Sequence, residues 1–215
     1  MSSLHKALQS LNYKKAIKLM DECDLDIQDN KGYTALMIAI INTTAKVCGR
    51  NVNRSELKKS IDEIINKLID KKCNVDLQEK EKGNTALIWS IKARLSKITK
   101  RIIQTSKNLD LQNMNGETAL FYAMCYKQGD IVITIIDEHI RKNNVCFLEA
   151  GSEVVKAEVM KYMYKSNIIN DIWNLYEKQI LEIINDTKSQ NPLAISFENQ
   201  LGDLNVVNIL VHYIY

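Results

Sequence analysis

A frame that recurs three times constrains this chain more than any other feature. It reads LDIQDNKGYTALMIAI from Leu25 to Ile40, VDLQEKEKGNTALIWSI from Val75 to Ile91, and LDLQNMNGETALFYAM from Leu109 to Met124. Each copy holds an aspartate, an apolar residue, a glutamine, a few polar residues, a glycine, one variable residue and Thr-Ala-Leu. Such recurrence marks a supersecondary unit that buries its apolar face only against a neighbouring unit. Thr85 and Thr118 stand 33 positions apart, the length of a helix-turn-helix unit with a turn, and Thr34 and Thr85 stand 51 apart. The excess falls in NTTAKVCGRNVNRSELKK, between the apolar run Ala35 to Ile41 and IDEIINKLID. It reads as a longer loop between two helices and a longer start to the second, a change that costs little because loop-closure free energy grows only with the logarithm of length.

Within each unit the residue types follow from the backbone they must support. Gly32, Gly83 and Gly116 sit where a tight turn needs positive φ, which glycine adopts without a Cβ penalty. Thr34, Thr85 and Thr118 follow two residues later, placed to cap a helix through the hydroxyl, and Ala-Leu then begins a good helical run. The second helices carry Ile64, Ile65, Leu68 and Ile69 in one unit and Ile98, Ile102 and Ile103 in the next. These i, i+3, i+4 spacings predict one apolar face per helix.

These residues resemble ankyrin repeats. Gly116, Thr118, Ala119, Leu120, Phe121 and the pair Ile135, Ile136 match the family's turn glycine, its Thr-Pro-Leu-His helix start and its Leu-Leu second helix, with equivalents in the other two units. Alanine replaces the family's proline, and Met37, Ile88 and Phe121 replace its histidine. Cys23 and Cys73 take the small-residue place before the turn, which implies a structural role. The resemblance implies an all-α solenoid of about five helix-turn-helix units with short β-hairpin-like turns. Its expected divisions are an N-terminal capping repeat (1–24), a repeat with a long insertion (25–74), two further repeats (75–108 and 109–142), a degenerate elongated helix pair (143–190) and a C-terminal capping repeat (191–215). In the first, Ser2 is the expected cap and Leu4-His5 takes the Leu-His place; in the last, Asn191 caps and Pro192 takes the first helical position, where its missing N–H does no harm.

The remaining composition narrows function mainly by exclusion. A net charge of +3, from 29 basic and 26 acidic residues spread along the chain, gives no footprint for nucleic acid or an anionic membrane. Five cysteines without a Cys-x-x-Cys pair, and three scattered histidines, argue against zinc and disulfide frameworks. No stretch reaches 18 consecutive apolar residues, and MSSLHKALQSLNYKKAIKLM lacks the apolar run of a secretory signal. The expected location is therefore the cytoplasm, with the nucleus as the other reducing compartment. Phosphate-binding, dinucleotide-binding, zinc-protease and nucleophile-elbow motifs are all missing, so no enzymatic activity, cofactor or metal is expected. His5 sits in the repeat's own histidine place, and the lysines and arginines of KARLSKITKR, Lys92 to Arg101, read as a solvated helix face.

What the resemblance implies about function is a protein-binding groove. In ankyrin repeats the second residue after the leucine of the helix start faces the concave side, and here that place holds Lys6, Ile38, Trp89, Tyr122 and Ile195. Tyr and Trp are the types most enriched in binding hot spots. The turn tips Asn30, Lys31, Tyr33, Lys82, Asn84, Met114, Asn115 and Glu117 would form a polar rim. The other reading open at this point is that the insertion or the degenerate helices cover the rings. The expected partner is another protein, and the chain itself is expected to be monomeric. One proline and an abundance of Lys, Asn, Ile and Tyr suggest an AT-rich genome such as those of large DNA viruses and intracellular parasites, where the partner would be a host factor. The alternatives are a self-assembling virion component, or the substrate-binding part of a ubiquitin-ligase adaptor; for the latter, no F-box-like segment is visible before Tyr215.

Overall fold

A computed structural model describes residues 2–44 and 54–141. The expected degenerate pair, the C-terminal repeat with Ile195, and most of the insertion loop lie outside the described residues. Eight helices follow in order: α1 Ser3–Gln9, α2 Tyr13–Leu19, α3 Ala35–Thr44, α4 Arg54–Asp70, α5 Ala86–Lys92, α6 Ser96–Thr105, α7 Ala119–Cys125 and α8 Gly129–Arg141. They form two rows. In the inner row α1, α3, α5 and α7 pack each on the next, in the outer row α2, α4, α6 and α8 do the same, and each inner helix packs on the outer helix that follows it. Among the described residues there is no β-strand, only an isolated antiparallel bridge between Gln78 and Thr85.

The rows meet in one continuous apolar layer. Ile64, Ile65 and Leu68 of α4, Ile102 and Ile103 of α6, and Ile131, Val132, Ile135 and Ile136 of α8 are fully buried, as their spacing predicts. Burying such a side chain contributes about 1.5–3 kcal/mol, a gain each unit makes partly within its own helix pair and partly against its neighbours.

Helix starts follow the sequence closely. The hydroxyls of Ser2, Thr34, Thr85 and Thr118 accept from the backbone N–H of His5, Met37, Ile88 and Phe121, relieving the unpaired donors of each first turn. Only the first unit keeps the histidine. There Nδ1 lies 2.5 Å from the Ser2 hydroxyl and Nε2 lies 3.0 Å from the Tyr33 carbonyl, which ties α1 to the next turn. In the next two units Met37 and Ile88 are wholly buried, so a hydrogen bond has been exchanged for core packing.

Helix ends hold what the sequence does not mark. Leu11, Lys72, Arg94 and Lys127 all have φ between 55 and 60°. The helix before each closes with the paired bonds of a Schellman end: Lys127 N–H donates to Met124 O and Gln128 N–H to Ala123 O, both at 2.9 Å. A left-handed residue with a Cβ is strained by about 1 kcal/mol. Lys127→Gly, at an exposed position, is therefore expected to stabilise the protein by up to about 1 kcal/mol, read as a melting temperature raised by a few degrees.

The turns stack as the helices do, and their bonds explain why the frame recurs. Gln28 Nε2 donates to its own Gly32 carbonyl at 2.6 Å and to the Gln78 carbonyl at 2.9 Å; Gln78 Nε2 repeats this to Gly83 and Gln112, both at 2.7 Å. Each glutamine thus closes one turn and hooks the next. The framing aspartates also reach forward: Asp26 accepts from Asn74 N–H at 2.7 Å, and Asp76 from the Ser106 hydroxyl at 2.6 Å and Lys107 N–H at 2.8 Å. The second turn has one residue more than the others between glutamine and glycine. Where the other turns use Asp29 and Asn113 to accept turn N–H groups, this one uses the longer Glu79, 2% exposed, which accepts from the N–H groups of Glu81, Lys82 and Asn84. Cys73, behind that turn, has a thiol that burial pushes up to about 12, in keeping with a structural role.

Candidate protein-binding face

The inner helices α5 and α7 are only seven residues long, so a side chain two places after the leucine stands close to the turn that precedes the helix. Trp89 and Tyr122 occupy that place in adjacent units, and both rings are half-buried. Trp89 lies 6.1 Å from the Tyr33 ring at 54°. Tyr122 stacks on Tyr126 at 6.3 Å and meets Phe121 edge-on at 5.8 Å, the tilted and edge contacts that ring quadrupoles favour. Between the two lies Lys92, whose Nζ is 5.3 Å from the Trp89 centroid and 4.1 Å from that of Tyr122. Arg94 sits over Tyr126 at 5.9 Å.

A polar network fixes the rings. The Tyr122 hydroxyl donates to Glu117 Oε2 at 2.6 Å, and Asn113 Nδ2 reaches the same oxygen at 2.9 Å, the Tyr122 hydroxyl at 3.2 Å and Asn84 Oδ1 at 3.1 Å. Lys92 Nζ donates to that Asn84 oxygen at 3.5 Å, and Asn84 Nδ2 donates to Glu79. Burial, then the bond to Glu117, pushes the Tyr122 phenol well above its usual range. Burial, then the charge of Lys82, lowers the Lys92 ammonium. Burial alone would raise Glu117, but bonds from Tyr122, Asn113 and Asn115 and the Lys92 charge bring it below the ordinary carboxylate value. The face thus holds a phenol, a carboxyl group and a lysine amine in fixed relative positions.

The structure separates the expected residues into two groups. Lys6, Lys31, Lys82 and Asn115 are exposed, Met114 is 67% exposed, and Tyr33, Trp89, Glu117 and Tyr122 are half-buried. Two others do not lie on a surface. Asn84 is 0% exposed and bonds adjacent turns together, and Ile38, at 7%, belongs to the core. Lys92, expected on a solvated face with the rest of its cluster, is instead drawn over two rings, whereas Lys100 and Arg101 of the same cluster form ion pairs on the outer row. The sequence reading also passed over Asn113 and Tyr126, and left Arg94 with the solvated cluster. Two of these omissions had a signal: Lys92 stands three places after Trp89 and Tyr126 four after Tyr122, the intervals at which helical side chains meet. Among the described residues no group of three or more His, Cys, Asp or Glu is placed to hold a metal ion, and no helix is long and apolar enough to cross a membrane.

No curated protein matches this sequence. Solved structures similar to the chain include the complex of a predatory endopeptidase from Bdellovibrio bacteriovorus with an immunity protein, at 19% identity, covering 77% of this chain and 98% of the other with a TM-score of 0.39. They include an ankyrin repeat domain from Acinetobacter baumannii, at 17% identity, 79% and 96% coverage and a TM-score of 0.39. The ankyrin repeat domain of Bcl-3, of the IkappaB protein family, is similar at 14% identity, 75% and 98% coverage and a TM-score of 0.31. Residues 55–146 match the family model of ankyrin repeats in three copies. With those copies, the two rows of paired helices and the turns hooked one to the next, this chain has the ankyrin-repeat fold.

Proposed function

We propose that the chain is a non-enzymatic, monomeric module that binds another protein through the inner face of α5 and α7 and the turn tips beside them. Ankyrin repeats in general are protein-interaction modules, and stacked repeats present long surfaces on which neighbouring units contribute side by side. The observation that carries the reading is the pair Trp89 and Tyr122, half-buried in adjacent units and bridged by Lys92, with the 67% exposed Met114 on the neighbouring turn. Half-buried aromatic anchors with an ordered polar surround are the usual makings of a hot spot. The compositional bias toward Lys, Asn, Ile and Tyr favours a host protein in the cytoplasm or nucleus as the partner of a viral or parasite chain.

The test is capture from candidate host lysates with the wild type and with Trp89→Ala combined with Tyr122→Ala. A partner retained by the first and lost from the second is the expected result. Equal retention by both would remove the face from the account.

A further inference from the structure

Among the described residues the basic groups beside the two rings are left without ion pairs. We propose that the partner offers this face an acidic segment whose carboxylates pair with Lys92, Lys82 and Lys31 while an apolar residue packs on Trp89 and Tyr122. The inference rests on the binding reading above and adds the chemistry of the partner.

On the outer side, among the described residues, four basic groups find acids within the chain, while others, including Lys97, do not. Lys67 and Lys71 pair with Asp21 at 3.5 and 2.7 Å, Lys100 with Asp130 at 3.4 Å and Arg101 with Asp70 at 2.5 Å. On the turn side Lys31, Lys80, Lys82, Lys92 and Arg94 form no ion pair among the described residues. Carboxylates are present there, but three of the four turn inward. Asp29 accepts from the N–H groups of Lys31 and Tyr33, Glu79 from those of its own turn, and Glu117 from Tyr122, Asn113 and Asn115. Glu81 alone of the four is exposed. Counted as whole charges the turn side is nearly balanced, yet the groups a partner would touch first are ammoniums.

Lys92 decides the sign. Its ammonium has three donors and makes one hydrogen bond, at 3.5 Å to Asn84, so donors remain for a carboxylate. It also lies over Trp89 and Tyr122, where it repels any cationic side chain that a partner would bring to those rings. A basic segment would thus meet an ammonium at the rings and further lysines at the rim, whereas an acidic one meets complementary charge.

Fluorescence anisotropy of the whole chain with two labelled dodecapeptides tests this: four Glu-Leu-Glu triplets, and four Lys-Leu-Lys triplets with the same leucines. The acidic peptide is expected to bind at least tenfold more tightly, to weaken as salt rises from about 0.05 to 0.5 M, and to lose at least fivefold in affinity with Lys92→Gln. Lys97→Gln, at an exposed position on α6, is expected to change nothing. The proposal is overturned if the basic peptide binds as well as the acidic one, if Lys92→Gln has no effect, or if neither peptide binds. A basic peptide that is lost with Trp89→Ala would leave the face standing and overturn only its acidic complement. Absence of binding, together with capture that is indifferent to the double substitution, would remove both.

Discussion

Gly32→Ala is expected to destabilise the protein by about 3 kcal/mol, lowering the melting temperature by on the order of 10 °C. Gly32 has φ 84°, where a side chain is strained, and a Cβ there would lie 2.7 Å from the backbone nitrogen of Lys80 and 3.0 Å from Glu79 Cα. That nitrogen cannot retreat without losing its 2.9 Å bond to the Lys31 carbonyl, one of the bonds that join the two turns. Gly83 offers the comparison: its φ is 71°, but an added Cβ would come only to 3.2 Å from Met114 N. Gly83→Ala should therefore cost less than Gly32→Ala. Thermal melts of both variants decide the order, and the reverse order would mean that turn-to-turn packing is not what the glycine serves.

Glu79→Ala is expected to cost a similar amount, about 3 kcal/mol, because it strips acceptors from buried donors. The carboxylate accepts from three backbone N–H groups and from Asn84 Nδ2, and Asn84 in turn accepts from Asn113 and Lys92. Glu79→Asp should restore little, although Asp29 fills the same role one unit earlier, since the second turn is a residue longer. Full rescue by aspartate, measured by denaturant unfolding, would show that side-chain length is not matched to turn length.

How much of this was legible in the sequence depends on whether a residue's reason lies inside its own unit. The glycines, the capping threonines and the apolar faces are local demands, and they recur at a fixed period for that reason; Gly32, Thr85 and Ile102 were all placed correctly by spacing. Gln28 and Asp26 recur too, but their partners, Gln78 and Asn74, are about fifty residues away, so the frame announced their presence without its cause. The left-handed residues at Leu11, Lys72, Arg94 and Lys127 carry no sequence mark, because glycine is what would have marked them. On the proposed binding face, position within the repeat singled out Trp89 and Tyr122 as candidates. It could not tell that Ile38, in the same register, is covered, nor that Asn84, at a turn, is wholly buried. Both depend on what the neighbouring unit brings to them, as does the place of Lys92 over the Tyr122 ring.

The central claim is that Trp89 and Tyr122 serve binding more than folding. It is tested most directly by measuring, on the same preparation of Trp89→Ala with Tyr122→Ala, both the melting temperature and the affinity for a purified captured partner. The rings are half-buried, and only Tyr122 is tied by hydrogen bonds to its turn, so the predicted melting temperature falls by only a few degrees. Two hot-spot rings are worth about 2 kcal/mol or more each, so the predicted affinity falls on the order of a hundredfold or more. A variant that unfolds, or one that melts lower yet binds as well as the wild type, would contradict the account and return both rings to the core.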